Sequence, residues 1–129
     1  MRRILIAVSV ALMFTLVLVG CNDSGESTYE QITPAEAKAL MDSEKDYIII
    51  DARTQSEYDE GHIPGAILIP EYEIAERAEK EIPNKRVLIL VYCRSGRRSK
   101  IAAEELVKLG YTNVKEFGGI IDWEYDIVK

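Results

Sequence analysis

The sequence predicts a single α/β domain built on a mostly parallel sheet. Three observations lead there. Short apolar runs of strand length recur at residues 47–50, 66–69 and 87–92. Charged stretches with helix-start signals separate them, and glycine and proline cluster at the joints. Such alternation of strand and helix is the mark of α/β architecture. A chain of 129 residues has room for one such domain and a short appendage.

Thr33-Pro34-Ala35-Glu36 is a capping box with proline at the first helical position, and Ala37, Leu40 and Met41 follow at helical spacing. Tyr47 to Ile50 reads as a strand covered on both faces. Thr54-Gln55-Ser56-Glu57 is a second capping box and opens a short helix. Gly61, Pro64 and Gly65 mark a loop, and Ala66 to Ile69 form a short strand closed by Pro70. Residues 71–81 are charged and read as a helix that ends before Pro83. Val87 to Tyr92 carries the strongest strand signal and belongs at the centre of the sheet. Ala102, Leu106 and Leu109 then define a helical face, stopped by Gly110, and Val114 to Phe117 forms a last strand.

The first 28 residues differ in kind. Arg2 and Arg3 precede an apolar run from Ile4 to Gly20, and no acid occurs before Asp23. This is the plan of a secretory signal, residues 1–20. The run falls slightly short of the roughly 20 residues that span a bilayer, so an uncleaved anchor is the alternative. Leu18-Val19-Gly20-Cys21 resembles the lipobox of bacterial lipoproteins. The resemblance implies lipidation of Cys21, cleavage before it, and a cell-envelope, extracytoplasmic location with the membrane as partner. Residues 21–28 are then a polar tether, and residues 29–129 the folded domain.

Composition excludes several functions. With 22 acidic and 16 basic residues, the chain is no general nucleic-acid binder. Two cysteines and one histidine exclude a zinc cluster and a multi-disulfide scaffold, and no cofactor is expected.

The chemistry concentrates at the end of the strongest strand. Tyr92-Cys93-Arg94-Ser95-Gly96-Arg97-Arg98-Ser99-Lys100 puts four cations within seven residues of an otherwise acidic chain. Sites in open α/β sheets lie beyond the carboxyl ends of strands. A turn into a helix start there offers free N–H groups to an anion. Strand end, helix start and cations together favour thiolate at Cys93 and an anionic substrate.

These residues, with three other blocks, resemble the rhodanese (sulfurtransferase) family. The first block is Asp51-Ala52-Arg53, Glu57-Tyr58 and Gly61-His62-Ile63-Pro64-Gly65-Ala66. The second is the Cys93 segment. The third is Gly110-Tyr111 with Asn113-Val114, and the fourth Gly118-Gly119 with Trp123. The resemblance implies a five-stranded parallel sheet with helices on both faces. It implies that Cys93 takes sulfur from a small anionic donor such as thiosulfate, holds it as a persulfide, and passes it to cyanide or a thiol. It casts Arg94, Ser95, Gly96, Arg97, Arg98 and Ser99 as the active loop, with Arg97 and Arg98 meeting the donor. Asp51, Arg53 and His62 are expected in support, His62 fixing a loop rather than moving protons, and Glu57 as the capping partner of Thr54.

Loop length separates the rivals. Four residues stand between Cys93 and Arg98, whereas the Cys-x5-Arg loop of tyrosine phosphatases and related arsenate reductases has five and cradles a tetrahedral oxyanion. A slow sulfur-carrier or binding module of the same fold is the second alternative.

Overall fold

The computed structural model describes residues 28–129. The predicted signal peptide, Cys21 and all but the end of the tether lie outside the described residues. Five strands form one sheet: β1 (Glu30–Gln31), β2 (Tyr47–Asp51), β3 (Ile67–Leu68), β4 (Leu88–Cys93) and β5 (Val114–Gly119). Their order is β1-β5-β4-β2-β3, and every pairing is parallel. The strand with the strongest sequence signal is therefore the middle one.

Four helices connect them: α1 (Pro34–Ser43), α2 (Gln55–Glu60), α3 (Ile74–Glu81) and α4 (Arg97–Lys108). The Thr33 capping box forms as expected, with Thr33 Oγ1 accepting from Glu36 N–H at 3.1 Å. The charged stretch predicted as one helix begins instead with a 3-10 turn, Glu71–Glu73, before α3. Pro70 precedes that turn, and Glu71 N–H donates to Ala52 O, so the chain is fastened to the end of β2 before it coils.

Alternation along β4 divides the interior in two. Ile89, Val91 and Cys93 face the side covered by α3 and α4, where Ala78, Ala102 and Leu106 are fully buried. Leu88, Leu90 and Tyr92 face the α1 side, with Ala37, Ile49 and Phe117. Every residue of β4 is buried, as expected of a strand covered on both faces. Adjacent residues at its end thus point to opposite faces. Cys93 faces α4, and Tyr92 faces the loop that follows α2.

Candidate active site

β4 ends at Cys93, the chain crosses Arg94, Ser95 and Gly96, and α4 starts at Arg97. Gly96 has φ 108°, in the left-handed region, which lets the strand turn directly into the helix. Its N–H donates to Cys93 Sγ at 3.0 Å. Ser99, on the first turn of α4, places Oγ 3.3 Å from the same sulfur. Arg97, Arg98 and Ser99 open the helix, so their N–H groups have no carbonyl four residues back within it. Burial pushes the Cys93 thiol up, but hydrogen bonds at the Ser99, Gly96 and Ser95 N–H groups outweigh it. The thiol lies below its ordinary value. Cys93 is 1% exposed, so the sulfur is almost wholly covered.

The end of β5 packs beside the loop. Gly119 pairs with Cys93 across the sheet, after a register irregularity between Val91 and Cys93. A Cβ on Gly119 would collide with the backbone of Arg94 and Ser95. Gly119 is therefore what lets β5 approach so closely.

The four cations of the segment do not act alike. Arg94, Arg97 and Lys100 are exposed, and none forms an ion pair among the described residues. Arg98 turns back and binds Glu57 through two parallel bonds of 2.8 Å each. Glu57 keeps its expected partner and gains a second. Its N–H donates to Thr54 Oγ1 at 3.4 Å and its Oε1 accepts from the Thr54 hydroxyl at 3.2 Å, while the carboxylate also spans to Arg98 rather than to the Thr54 backbone. A bidentate guanidinium is a stronger partner than a single N–H, and it draws the Glu57 carboxyl below its ordinary value.

Asp51 and Arg53 form a buried pair, 0% and 5% exposed. Arg53 Nη2 lies 2.7 Å from Asp51 Oδ2 and also donates to Gly61 O at 2.7 Å. Tyr92 OH donates to Asp51 Oδ2 at 2.7 Å and accepts from Ile63 N–H at 3.0 Å. Burial and the adjacent carboxylate push the Tyr92 phenol far up, so it stays a donor. This network fastens the loop after α2 to the ends of β2 and β4. It supports the cysteine loop from behind, without contact with the sulfur.

His62 stacks flat on Tyr58, with ring centroids 3.7 Å apart, and its Nδ1 is 2.9 Å from Tyr58 O. Its backbone bridges to Val128 in both directions. The contacts are those of a loop-fixing residue.

Sequence reading missed Glu116. It is 2% exposed, on β5, with Oε1 2.7 Å from both Ser99 Oγ and Gly118 N. The signal was there: period two from buried Val114 puts Glu116 on the inward face.

A thiol lowered by a nest of N–H groups, between a central parallel strand and the helix after it, has the setting that cysteine-nucleophile chemistry needs. The sequence matches the profile described as a rhodanese-like domain over residues 33–126, and the chain belongs to that family. It is 42% identical over 80 residues to the thiosulfate sulfurtransferase PspE of Escherichia coli K12, covering 62% of this chain and 77% of the relative. It is 36% identical over 100 residues to the thiosulfate sulfurtransferase GlpE of Coxiella burnetii, covering 74% and 88%. The fold is similar to that of a solved E. coli structure described as rhodanese with anions. The TM-score is 0.61 at 40% identity, over 64% of this chain and 98% of that one.

Proposed function

We propose that the protein is a sulfurtransferase that carries sulfur on Cys93, from an anionic donor such as thiosulfate to cyanide or a thiol. One observation carries the reading: Cys93 Sγ accepts a 3.0 Å hydrogen bond from Gly96 N–H at the start of α4, inside a cluster of cations. In the first half-reaction the thiolate attacks the outer sulfur of thiosulfate. The bond from Sγ to that sulfur forms as the donor's S–S bond breaks, and sulfite leaves with the electron pair. In the second, the acceptor attacks the terminal sulfur, and the thiolate departs from it. Each half is an ordinary displacement, so ping-pong kinetics follow. The negative terminal sulfur of the persulfide is suited by the free N–H groups that open α4. Arg97 and Arg94, exposed and unpaired among the described residues, are free to meet the donor. Arg98 contributes its field while Glu57 holds it. The cycle needs no group beyond the cysteine.

The test is intact-mass measurement. Thiosulfate should add one sulfur atom to the protein and cyanide should remove it. Cys93→Ser should take up none; uptake by that variant overturns the mechanism.

The reading extends to location. The apolar run and Leu18-Val19-Gly20-Cys21 support a lipid on Cys21 that tethers the domain to the cell envelope, facing away from the cytoplasm. In a bacterial host the chain should incorporate labelled fatty acid and Cys21→Ser should not. A wild-type chain that takes up no label and keeps residues 1–20 overturns it.

A further inference from the structure

Glu116 has no part in the sulfur displacement just described, yet one side chain, Ser99, links it to the sulfur. Among the described residues it is a buried carboxylate without a cation partner. The other carboxylates near the site are matched, Asp51 by Arg53 and Glu57 by Arg98. A carboxylate left unpaired in the interior is costly unless hydrogen bonds hold it. Two do: Gly118 N–H and Ser99 O–H, both at 2.7 Å.

Ser99 has one hydroxyl hydrogen and four acceptors within reach. They are Glu116 Oε1 at 2.7 Å, Gly96 O at 3.1 Å, Gly118 O at 3.3 Å and Cys93 Sγ at 3.3 Å. The carboxylate is both the nearest and the strongest, because charge-assisted bonds are shorter and about twice as strong. With its hydrogen committed there, Ser99 turns a lone pair toward the sulfur and accepts the thiol hydrogen.

We propose that Glu116 is a positioning residue for the nucleophile. By claiming the hydrogen of Ser99 it makes Ser99 an acceptor toward Cys93, and so opposes the pull of the N–H groups toward thiolate. The inference rests on the sulfurtransferase reading only in taking Cys93 as the sulfur that reacts.

Ionisation breaks the S–H bond and releases the proton to solvent. The new thiolate then competes with Glu116 for the one Ser99 hydrogen. The backbone N–H groups pull toward thiolate, and Glu116 pulls back. A sulfur kept more basic is intrinsically more nucleophilic. Once Cys93 carries sulfur, its Sγ is neutral and has no hydrogen, and the bond from Ser99 to Glu116 stands undisturbed. The other charges around the sulfur are Arg98 of α4 with Glu57 of α2, Asp51 of β2 with Arg53, and the exposed Arg94 and Arg97. Lys115 of β5 pairs with Glu30. None of these side chains hydrogen-bonds to Ser99 or Glu116.

The experiment follows the rate at which iodoacetamide alkylates Cys93 in the full chain as a function of pH, read on the mass of the Cys93 peptide. Glu116→Gln keeps the shape and an acceptor for Gly118 N–H. It should move the midpoint down by about one pH unit, the scale for losing a neighbouring like charge. That is about tenfold more thiolate at a pH below both midpoints. An unchanged or raised midpoint in the folded variant overturns the proposal. Ser99→Ala supplies an independent reading if Glu116→Gln does not fold. An unchanged or lowered midpoint agrees with Ser99 as acceptor, and a raised one overturns it. In the double variant the shift caused by Glu116→Gln should shrink; a full-sized shift means that Ser99 carries none of it. Alkylation needs no sulfur donor, so failure here is distinct from failure of the thiosulfate mass test.

Discussion

Gly119→Ala should disable the cysteine loop without touching a reacting atom. Gly119 has φ −130° and ψ 155°, an extended conformation that alanine adopts freely, so backbone strain is not the issue. Space is. A Cβ at this position would lie 2.5 Å from Ser95 N and closer still to the carbonyl of Arg94. Real Cβ contacts stay beyond 3.0 Å, so Ser95 N must retreat by at least about 0.5 Å and Arg94 by more, since van der Waals repulsion is steep at such separations. The obstacle is backbone, not the far end of a flexible side chain. The retreat is felt at once by Gly96, whose N–H holds Cys93 Sγ, and by Ile121, whose N–H donates to Arg94 O at 3.3 Å. Displacements of about 1 Å in a positioned site cost on the order of a hundredfold in rate. Turnover of thiosulfate to thiocyanate should therefore fall by roughly 10- to 100-fold. Overpacking of this kind also costs about 1–3 kcal/mol of stability, and each kcal/mol lowers the melting temperature of such a domain by about 4–8 °C. Gly65→Ala is the control. Gly65 has φ 82°, and a methyl added there would meet nothing within 4 Å, so the variant should lose about 1–2 kcal/mol through left-handed strain and keep its rate. A Gly119→Ala protein with full turnover and an unshifted melt would refute the claim that β5 sets the loop by close approach.

Two further outcomes follow from the same site. The rate of persulfide formation should rise with pH as the thiol ionises, and its midpoint should lie below 9.0, because the folded site lowers the thiol; stopped-flow loading with thiosulfate measures it, and a midpoint above that value contradicts the N–H cradle. Ionisation preferred in the folded state also adds stability above the unfolded value, which is lost as pH falls through the folded one. Arg97→Ala should raise the KM for thiosulfate, and added salt should do the same, since exposed charges are screened over about 10 Å at 0.1 M. Arg98→Ala should instead release Glu57 and lower the melting temperature, and steady-state kinetics beside thermal melts will separate the two; equal KM effects from both would show that the pairing with Glu57 does not divide their roles.

The fold was legible where burial forces a pattern. The runs at 47–50, 66–69 and 87–92 are apolar because those strands are covered in whole or in part, and β2, β3 and β4 appear there, β2 and β4 each running one residue further, to Asp51 and Cys93. Thr33 and Glu36 were legible because a capping box is a contact between residues three apart. β1 was not. Glu30–Gln31 is an exposed edge strand of two residues, with no interior face to demand an apolar side chain. It is placed by pairing with β5, and Glu30 by its ion pair with Lys115, 85 residues away. Residues 71–81 show a different limit. Their composition permits a helix throughout, but a hydrogen bond from Glu71 to Ala52 fixes where the coil begins.

The same division runs through the site. Cys93, Gly96 and the helix start lie in one short segment, so the sulfur and its first hydrogen-bond donor could be read from it. The groups that decide how that segment behaves arrive from elsewhere. Glu57 is 41 residues from Arg98, Tyr92 is 41 from Asp51, and Glu116 is 17 from Ser99. Each pair meets only because parallel strands bring their carboxyl ends to one edge. This explains why Glu57 could be read correctly as a helix-start residue and still have its main partner missed. Its backbone N–H and the Thr54 hydroxyl make a local contact across three residues, while the bidentate bond of its carboxylate to Arg98 depends on the fold. A motif of about ten residues specifies what can react. The charge and hydrogen-bond direction at the sulfur are set by side chains that only the assembled sheet puts beside it.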